Sequence, residues 1–389
     1  MSIYFDNSAT TKICREALLK YNEVSEAEYG NPSSLHTMGV YAQRILDDAR
    51  RSILTTLGDK QSHIVFTSSG TEANNLAIIG RAHSKERYKR GARIITTDSE
   101  HASVSEPLLK LEGEGFEIIR IPTKGGKVDT DALKAALCDK VILVSMMMVN
   151  NETGARYNIE EVSKLVKASC PDAYVHVDAT QSYLKLPFTK KSIGADMITV
   201  SSHKIEGPKG MGALIIDPAV IRAKGLSPIV FGGGQEGGLR SGTENVPAVA
   251  AFAEAAKIAF ADLDKRFEKT SALRRLLIEK LASDDAFSSI TLTLPECSAP
   301  HILNITLPGI KSETMLHYLS SLGILVSSGS ACSSNSSHVS SALMAYGRTK
   351  DEADSSIRIS FSHRNSEDEV LEFCKALRGG LARLARVRR

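Results

Sequence analysis

The chain has 389 residues, 42% of them hydrophobic and 24% charged. With its 28 glycines added, the apolar share nears the roughly 45–50% of ordinary globular proteins, which excludes disordered, collagenous and coiled-coil chains. With 48 basic and 45 acidic residues the formal net charge is +3, too balanced to mark nucleic acid as the main partner.

The first residues, Met1–Asp6, carry neither the basic nor the apolar region of a secretory signal. No apolar run nears the roughly 18 residues of a membrane span, so the chain is read as cytoplasmic. Its six cysteines, Cys14, Cys138, Cys170, Cys297, Cys332 and Cys374, form no CxxC pair. That pattern disfavours a zinc ribbon or a thioredoxin-type site and fits free thiols. No metal is expected.

From about residue 60 to 216 short β-rich runs alternate with helical stretches. The runs are His63–Thr67, Arg93–Thr97, Glu117–Ile121, Val141–Val149, Tyr174–Asp178, Asp196–Val200 and Ala213–Ile216. Helices are predicted over Glu72–Lys89, Ser103–Glu112, Thr130–Leu137 and Ile159–Ala168. Such alternation implies a mainly parallel sheet covered by helices on both faces. An Ala-rich helix starts near Val246, and beyond about residue 260 the pattern shifts towards a smaller α+β unit with strands at His301–Thr306 and Ile324–Ser327. The Ser-rich stretch Ser327–Ser341 reads as a loop. The Arg-rich end, Arg378–Arg389, either favours a helix C-terminus electrostatically or meets an acidic partner or RNA.

In open α/β sheets, ligands sit beyond the carboxyl ends of the strands. Polar residues collect there: Ser68–Thr71, His101, Asn151, Asp178–Gln181 and Ser201–Lys204. Most lysines are solvated surface charges. Lys204, directly after an apolar strand, is placed instead for partial desolvation, which suits Schiff-base chemistry. Asp178, otherwise a plain capping residue, gains meaning beside it as a carboxylate for a pyridinium nitrogen. Ser69-Gly70-Thr71 opens a helix after a strand, either as a simple N-cap or as a phosphate cradle. Ser201 and His203 are placed to donate to the same anion. His101 is either a structural histidine or a flat imidazole able to stack and to move protons.

The Gly-rich loops Gly207–Gly212 and Gly232–Gly238 lack P-loop and Rossmann spacing, which disfavours ATP and NAD. Cys332 has small polar neighbours, Ser327-Ser-Gly-Ser-Ala-Cys332-Ser-Ser, so it is read as an exposed thiol open to becoming a nucleophile. Arg358, inside the apolar run Ser355–Ser360, needs an anionic partner, and a substrate carboxylate fits its fork.

Together these segments resemble the cysteine desulfurase family, in the class V aminotransferase-like group of fold-type I pyridoxal-phosphate enzymes. The resemblance runs through Tyr4–Thr11, Tyr29–Ser34, Thr67–Asn75, Val149–Gly154, His176–Gln181, Ser202–Lys204, Gly232–Glu236, Arg240–Thr243, Ser328–Cys332 and Ser355–Arg358. The Ser-Gly-Ser-Ala-Cys form is similar to the branch serving iron–sulfur cluster assembly and tRNA thiolation.

The resemblance implies a seven-stranded large cofactor domain over residues 15–258. A small α+β domain, 1–14 with 259–389, would carry the cysteine loop. It also implies roles. Lys204 is the Schiff-base lysine, Asp178 the pyridine-nitrogen partner, Gln181 the neighbour of the ring hydroxyl, His101 the stacking acid–base, and Asn151 a cofactor contact. Gly70, Thr71, Ser201 and His203 hold the phosphate, and Thr243 reaches across a homodimer to it. Asn31 and Arg358 grip the substrate carboxylate, and Cys332 accepts sulfur as a persulfide. The implied partners are L-cysteine and a sulfur-acceptor protein. Other outcomes are a pyridoxal-phosphate lyase, a selenocysteine lyase, an aminotransferase or a sulfur-carrying scaffold without turnover. Ser-Ser-His-Lys and Asp-Ala-Thr-Gln depart slightly from the commoner patterns, as does Glu206 after the lysine.

Overall fold

In the computed structural model of the chain, which describes residues 2–85, 91–328 and 339–384, the β-rich runs between residues 63 and 216 form one sheet. Strand β1 (Ile3–Tyr4) stands apart from it. The sheet holds β2 (His63–Thr67), β3 (Arg93–Thr97), β4 (Glu117–Ile121), β5 (Val141–Met147), β6 (Tyr174–Asp178), β7 (Met197–Ser201) and β8 (Gly212–Ile216). Their order is β2-β8-β7-β6-β5-β3-β4. All seven residues of β5 are buried, as a strand covered on both faces must be. Ile64 and Phe66 join one core cluster while Val65 joins the other, the period of two that places a core on each face.

The sheet is parallel except for β8, which runs antiparallel to both β7 and β2. The connection from Ser201 to Gly212 explains this. It is too short for the crossover of a dozen or more residues that a parallel neighbour requires. Helices Gly70–Ala82 and Ala102–Gly113 cover one face. Helices Arg15–Ala27, Thr37–Thr56, Ile159–Ser169 and Val246–Ala261 build the core on the other. The first two of these were not marked by the sequence pattern. The expected strand Val141–Val149 stops at Met147, and Val149 instead makes a lone bridge with Arg156. The expected helix Glu72–Lys89 begins earlier, because Ser69 caps it by accepting from Glu72 N, and it ends at Ala82. Residues 86–90 lie outside the described residues.

The C-terminal part holds β9 (Thr291–Thr293), β10 (Ile302–Thr306), β11 (Ile324–Leu325), β12 (Ser327–Ser328) and β13 (Ser356–Ser360). Four of them form an antiparallel sheet, β12-β13-β10-β9. The expected strand Ile324–Ser327 divides, since β11 pairs with β1 while β12 pairs with β13. Phe5 packs edge-on against Phe361 and Phe373, at 5.4 and 5.9 Å between ring centroids, inside the cluster built on this sheet. The chain's first residues are thereby fixed beside its last strands. The final helix runs from Glu367 to Leu384 with Arg383 in its last turn. Arg386, Arg388 and Arg389 lie outside the described residues. Among the described residues no helix is long and apolar enough to cross a membrane, and the five described cysteines are free.

Candidate active site

Five strands of the large sheet, β2, β3, β5, β6 and β7, deliver polar groups to one edge. There they meet Ser8 and Ala9 of the N-terminal segment and Arg358 of β13 around a cavity of about 310 Å³. Ten of the predicted site residues line it: Gly70, Thr71, His101, Asn151, Asp178, Gln181, Ser201, His203, Lys204 and Arg358.

Lys204 follows β7 in a single 3-10 turn. Its Nζ donates to the carbonyls of Ser8 at 2.6 Å and Ala9 at 2.8 Å. Thr11 returns the contact, donating from Oγ1 to the His203 carbonyl at 2.8 Å. The N-terminal segment and the lysine turn are therefore stitched together.

Asp178, at the end of β6, is 6% exposed. Its Oδ1 accepts from Thr180 N at 2.9 Å and its Oδ2 from Asn74 Nδ2 at 2.8 Å. The same Asn74 amide donates to Ser103 Oγ at 2.8 Å, and Ser103 meets His101 Nδ1 at 2.9 Å. His101 also caps its helix, Nδ1 accepting from Ser103 N at 3.1 Å. An Nδ1 that accepts leaves Nε2 to carry the proton of the neutral ring. Burial lowers the His101 pKa; Asp178 opposes this, and Lys204 and Arg358 add to it. Burial thus favours the neutral imidazole.

At one end of the cavity, the N-terminus of helix Gly70–Ala82 faces Ser201, whose Oγ is buried without a partner. Ser8 Oγ is likewise unpaired. An orphaned Ser201 hydroxyl beside a helix N-terminus is what a bound anion would satisfy. Gly212 makes the approach possible: a Cβ there would lie 2.5 Å from Ser69 C and 2.7 Å from Gly70 N. His203 Nδ1 lies 3.1 Å from Thr10 Oγ1. Burial and then Lys204 push its pKa down to about 4, so this ring is neutral.

Arg358 is 5% exposed and already holds an anion. Its Nη2 donates to Asp6 Oδ1 at 2.9 Å and its Nη1 to the Asn151 carbonyl at 2.8 Å, while its Nε has no partner. Glu152, next to Asn151, accepts from Ser340 Oγ, and burial raises its pKa to about 7. Glu100 sits behind the histidine, accepting from Thr97 Oγ1 at 2.6 Å and Met147 N at 3.0 Å. Burial raises its pKa to about 8.

Three predicted residues are not in the cavity. Asn31 is exposed, its Oδ1 accepting from Ser33 N. Thr243 is exposed in a neighbouring pocket with Ser68 and Arg240. Cys332 lies outside the described residues. Sequence reasoning gave no role to Asp6, Asn74 or Ser103, while the close backbone approach at Gly212 is of the kind that glycines in the Gly207–Gly212 loop permit. For Asn74 a signal existed, since it stands four residues after Gly70 and so on the same helix face. Among the described residues no group of three His, Cys, Asp or Glu side chains is arranged to hold a metal.

A helix N-terminus, a carboxylate and a lysine at the carboxyl ends of one sheet define the class of fold-type I pyridoxal-phosphate enzymes. The aminotransferase class-V profile matches residues 3–373, and the chain belongs to that family. Among its relatives are a NifS/IcsS protein homolog of Lactobacillus delbrueckii subsp. bulgaricus, 41% identical and matched over 96% of each chain, and cysteine desulfurase IscS 1 of Archaeoglobus fulgidus, 36% identical over 98% of this chain and 97% of the other. A solved NifS-like protein superposes with a TM-score of 0.90 at 35% identity, over 98% of this chain and 100% of that one. A solved SspA in complex with cysteine superposes with a TM-score of 0.80 at 30% identity, over 94% and 100%.

Proposed function

We propose that the chain is a cysteine desulfurase that binds pyridoxal 5'-phosphate and moves sulfur from L-cysteine to Cys332, leaving L-alanine. The observation that carries this reading is the cavity in which Lys204, Asp178 and the orphaned Ser201 hydroxyl converge. Gly70, Thr71, Ser201 and His203 suit the phosphate, Asp178 the pyridine nitrogen, Gln181 and Asn151 the ring's edge, and Lys204 the aldehyde carbon. When bound, the cofactor supplies an electron sink for charge developing at the substrate's Cα.

The chain's own groups do the rest. Lys204 takes and returns the Cα proton. Arg358, which lines the cavity, would hold the substrate carboxylate. His101, with its Nδ1 held by Ser103, would exchange a proton with the bound substrate through Nε2. The Cys332 thiolate attacks the substrate sulfur. An S–S bond forms, the C–S bond breaks, and its electron pair passes to the substrate carbon, which takes up protons to become alanine.

We assign residues 15–258 to the cofactor domain and 1–14 with 259–389 to the domain bearing Cys332. A homodimer is part of the reading. Tyr29, Leu35 and Phe231 are 73%, 99% and 81% exposed in the single chain, unusual for large apolar groups and consistent with a covered surface. Thr243 would serve the second subunit's phosphate. The persulfide passes to a cytoplasmic acceptor protein in iron–sulfur cluster assembly or tRNA thiolation. Incubating the cofactor-loaded chain with L-cysteine and a thiol reductant should release alanine and sulfide in equal amounts. Pyruvate and ammonia in place of alanine would contradict the proposal.

A further inference from the structure

Among the described residues, Lys204 lines two cavities. Besides the cleft it borders a smaller chamber of about 50 Å³, enough for ordered water. Lys185 enters this chamber from the turn after β6, and Glu206 from the turn after β7. Arg266 comes from helix Leu263–Ala282, His301 from just before β10, and His363 from just after β13.

Most of these groups are spoken for. Glu206 binds Arg364 Nε at 2.6 Å, with Arg266 at 3.5 Å and His363 Nδ1 at 4.0 Å. Lys185 Nζ donates to Gln181 Oε1 at 3.1 Å. His301 is the exception. It is 3% exposed, its one polar neighbour is the Gln181 backbone, and neither ring nitrogen makes a hydrogen bond of good geometry. Leaving a buried polar group poorly paired costs about 1–3 kcal/mol, a cost that ordered water in the chamber would offset.

Burial keeps the His301 pKa well below the ordinary imidazole range. Lys185 and Arg358 act in the same direction, and the Gln181 backbone opposes them. A neutral imidazole donates from one nitrogen and accepts at the other, which suits water rather than a bare anion. The His363 side chain is 30% exposed, so the far edge of the chamber reaches solvent.

We propose that ordered water in this chamber, held by His301, connects the Nζ of Lys204 to solvent at His363. The inference rests on the reading of Lys204 as the base at Cα. In the step, the Lys204 ammonium gives one proton to chamber water. That proton passes along the water that the His301 ring holds, and one proton leaves at the His363 edge. No electrons move, and the reverse sequence reloads the amine. A substrate-derived proton on Lys204 thus exchanges with solvent between its removal and its return. His301 is a positioning residue, not a catalytic one.

The test follows the isotope. L-cysteine deuterated at Cα is turned over in ordinary water, and the deuterium left in alanine is read by mass spectrometry. His301→Phe, which fills the chamber, should raise the retained fraction at least about threefold. The smaller His301→Asn should move it in the same direction by less. A second readout uses the cofactor-free chain, where competitive acetylation across pH reports the Lys204 amine directly. Removing water that solvates the ammonium should lower its apparent pKa in His301→Phe. Unchanged deuterium retention, or an unchanged Lys204 titration, overturns the relay. Turnover that survives Lys204→Ala would instead overturn the assignment of the base.

Discussion

Lys204 meets two demands at once, reaching the cleft while its turn is held by backbone contacts from Ser8, Ala9 and Thr11. Those contacts do not depend on the amine alone, since Thr11 N and Oγ1 both donate to the His203 carbonyl. Lys204→Ala should therefore leave the fold intact while lowering turnover at least about a thousandfold. Circular dichroism checks the first part and alanine formation the second. A borohydride-reducible covalent cofactor in the purified variant would show that another residue holds it. The line from Asp178 through Asn74 and Ser103 to His101 gives the histidine a fixed tautomer. Most of this site was legible in the sequence, because strand ends deliver their residues in a predictable place. The Asp6–Arg358 pair was not, because its partners stand 352 residues apart and nothing local in either segment names the other.

At the scale of elements, the β-branched runs announced the strands, and alternation with helices announced the sheet. Direction was harder to read. That β8 is antiparallel follows from the shortness of its connection to β7, not from any residue within it. Helix Arg15–Ala27 escaped the pattern because it buries only Ala17 and Val24, too sparse a stripe to stand out. The antiparallel β8 has a functional consequence, since it places Gly212 against the Ser69–Gly70 backbone. Gly212→Ala forces that backbone away by contact alone. It should cost about 1–3 kcal/mol of stability and weaken cofactor affinity at least about tenfold. Thermal unfolding and pyridoxal-phosphate titration measure the two effects. Unchanged affinity would mean that the Ser69–Thr71 turn does not hold the phosphate.

For the whole molecule, the proposed second copy would account both for the exposed Tyr29, Leu35 and Phe231 and for the outlying Thr243. The chain should sediment as a dimer at micromolar concentration, and Thr243→Ala should lower cofactor affinity without dissociating it. A monomer with full cofactor occupancy would contradict the shared site. The central claim is that Cys332 takes the sulfur. A thiol substrate must be attacked at sulfur by an external nucleophile, whereas a sulfinate departs as its own stable fragment and needs none. Parallel kinetics of Cys332→Ala on L-cysteine and L-cysteine sulfinate, with bound cofactor measured by absorbance, test this directly. The account predicts full cofactor content, retained activity on the sulfinate and loss of desulfuration of cysteine. Equal effects on the two substrates would contradict it.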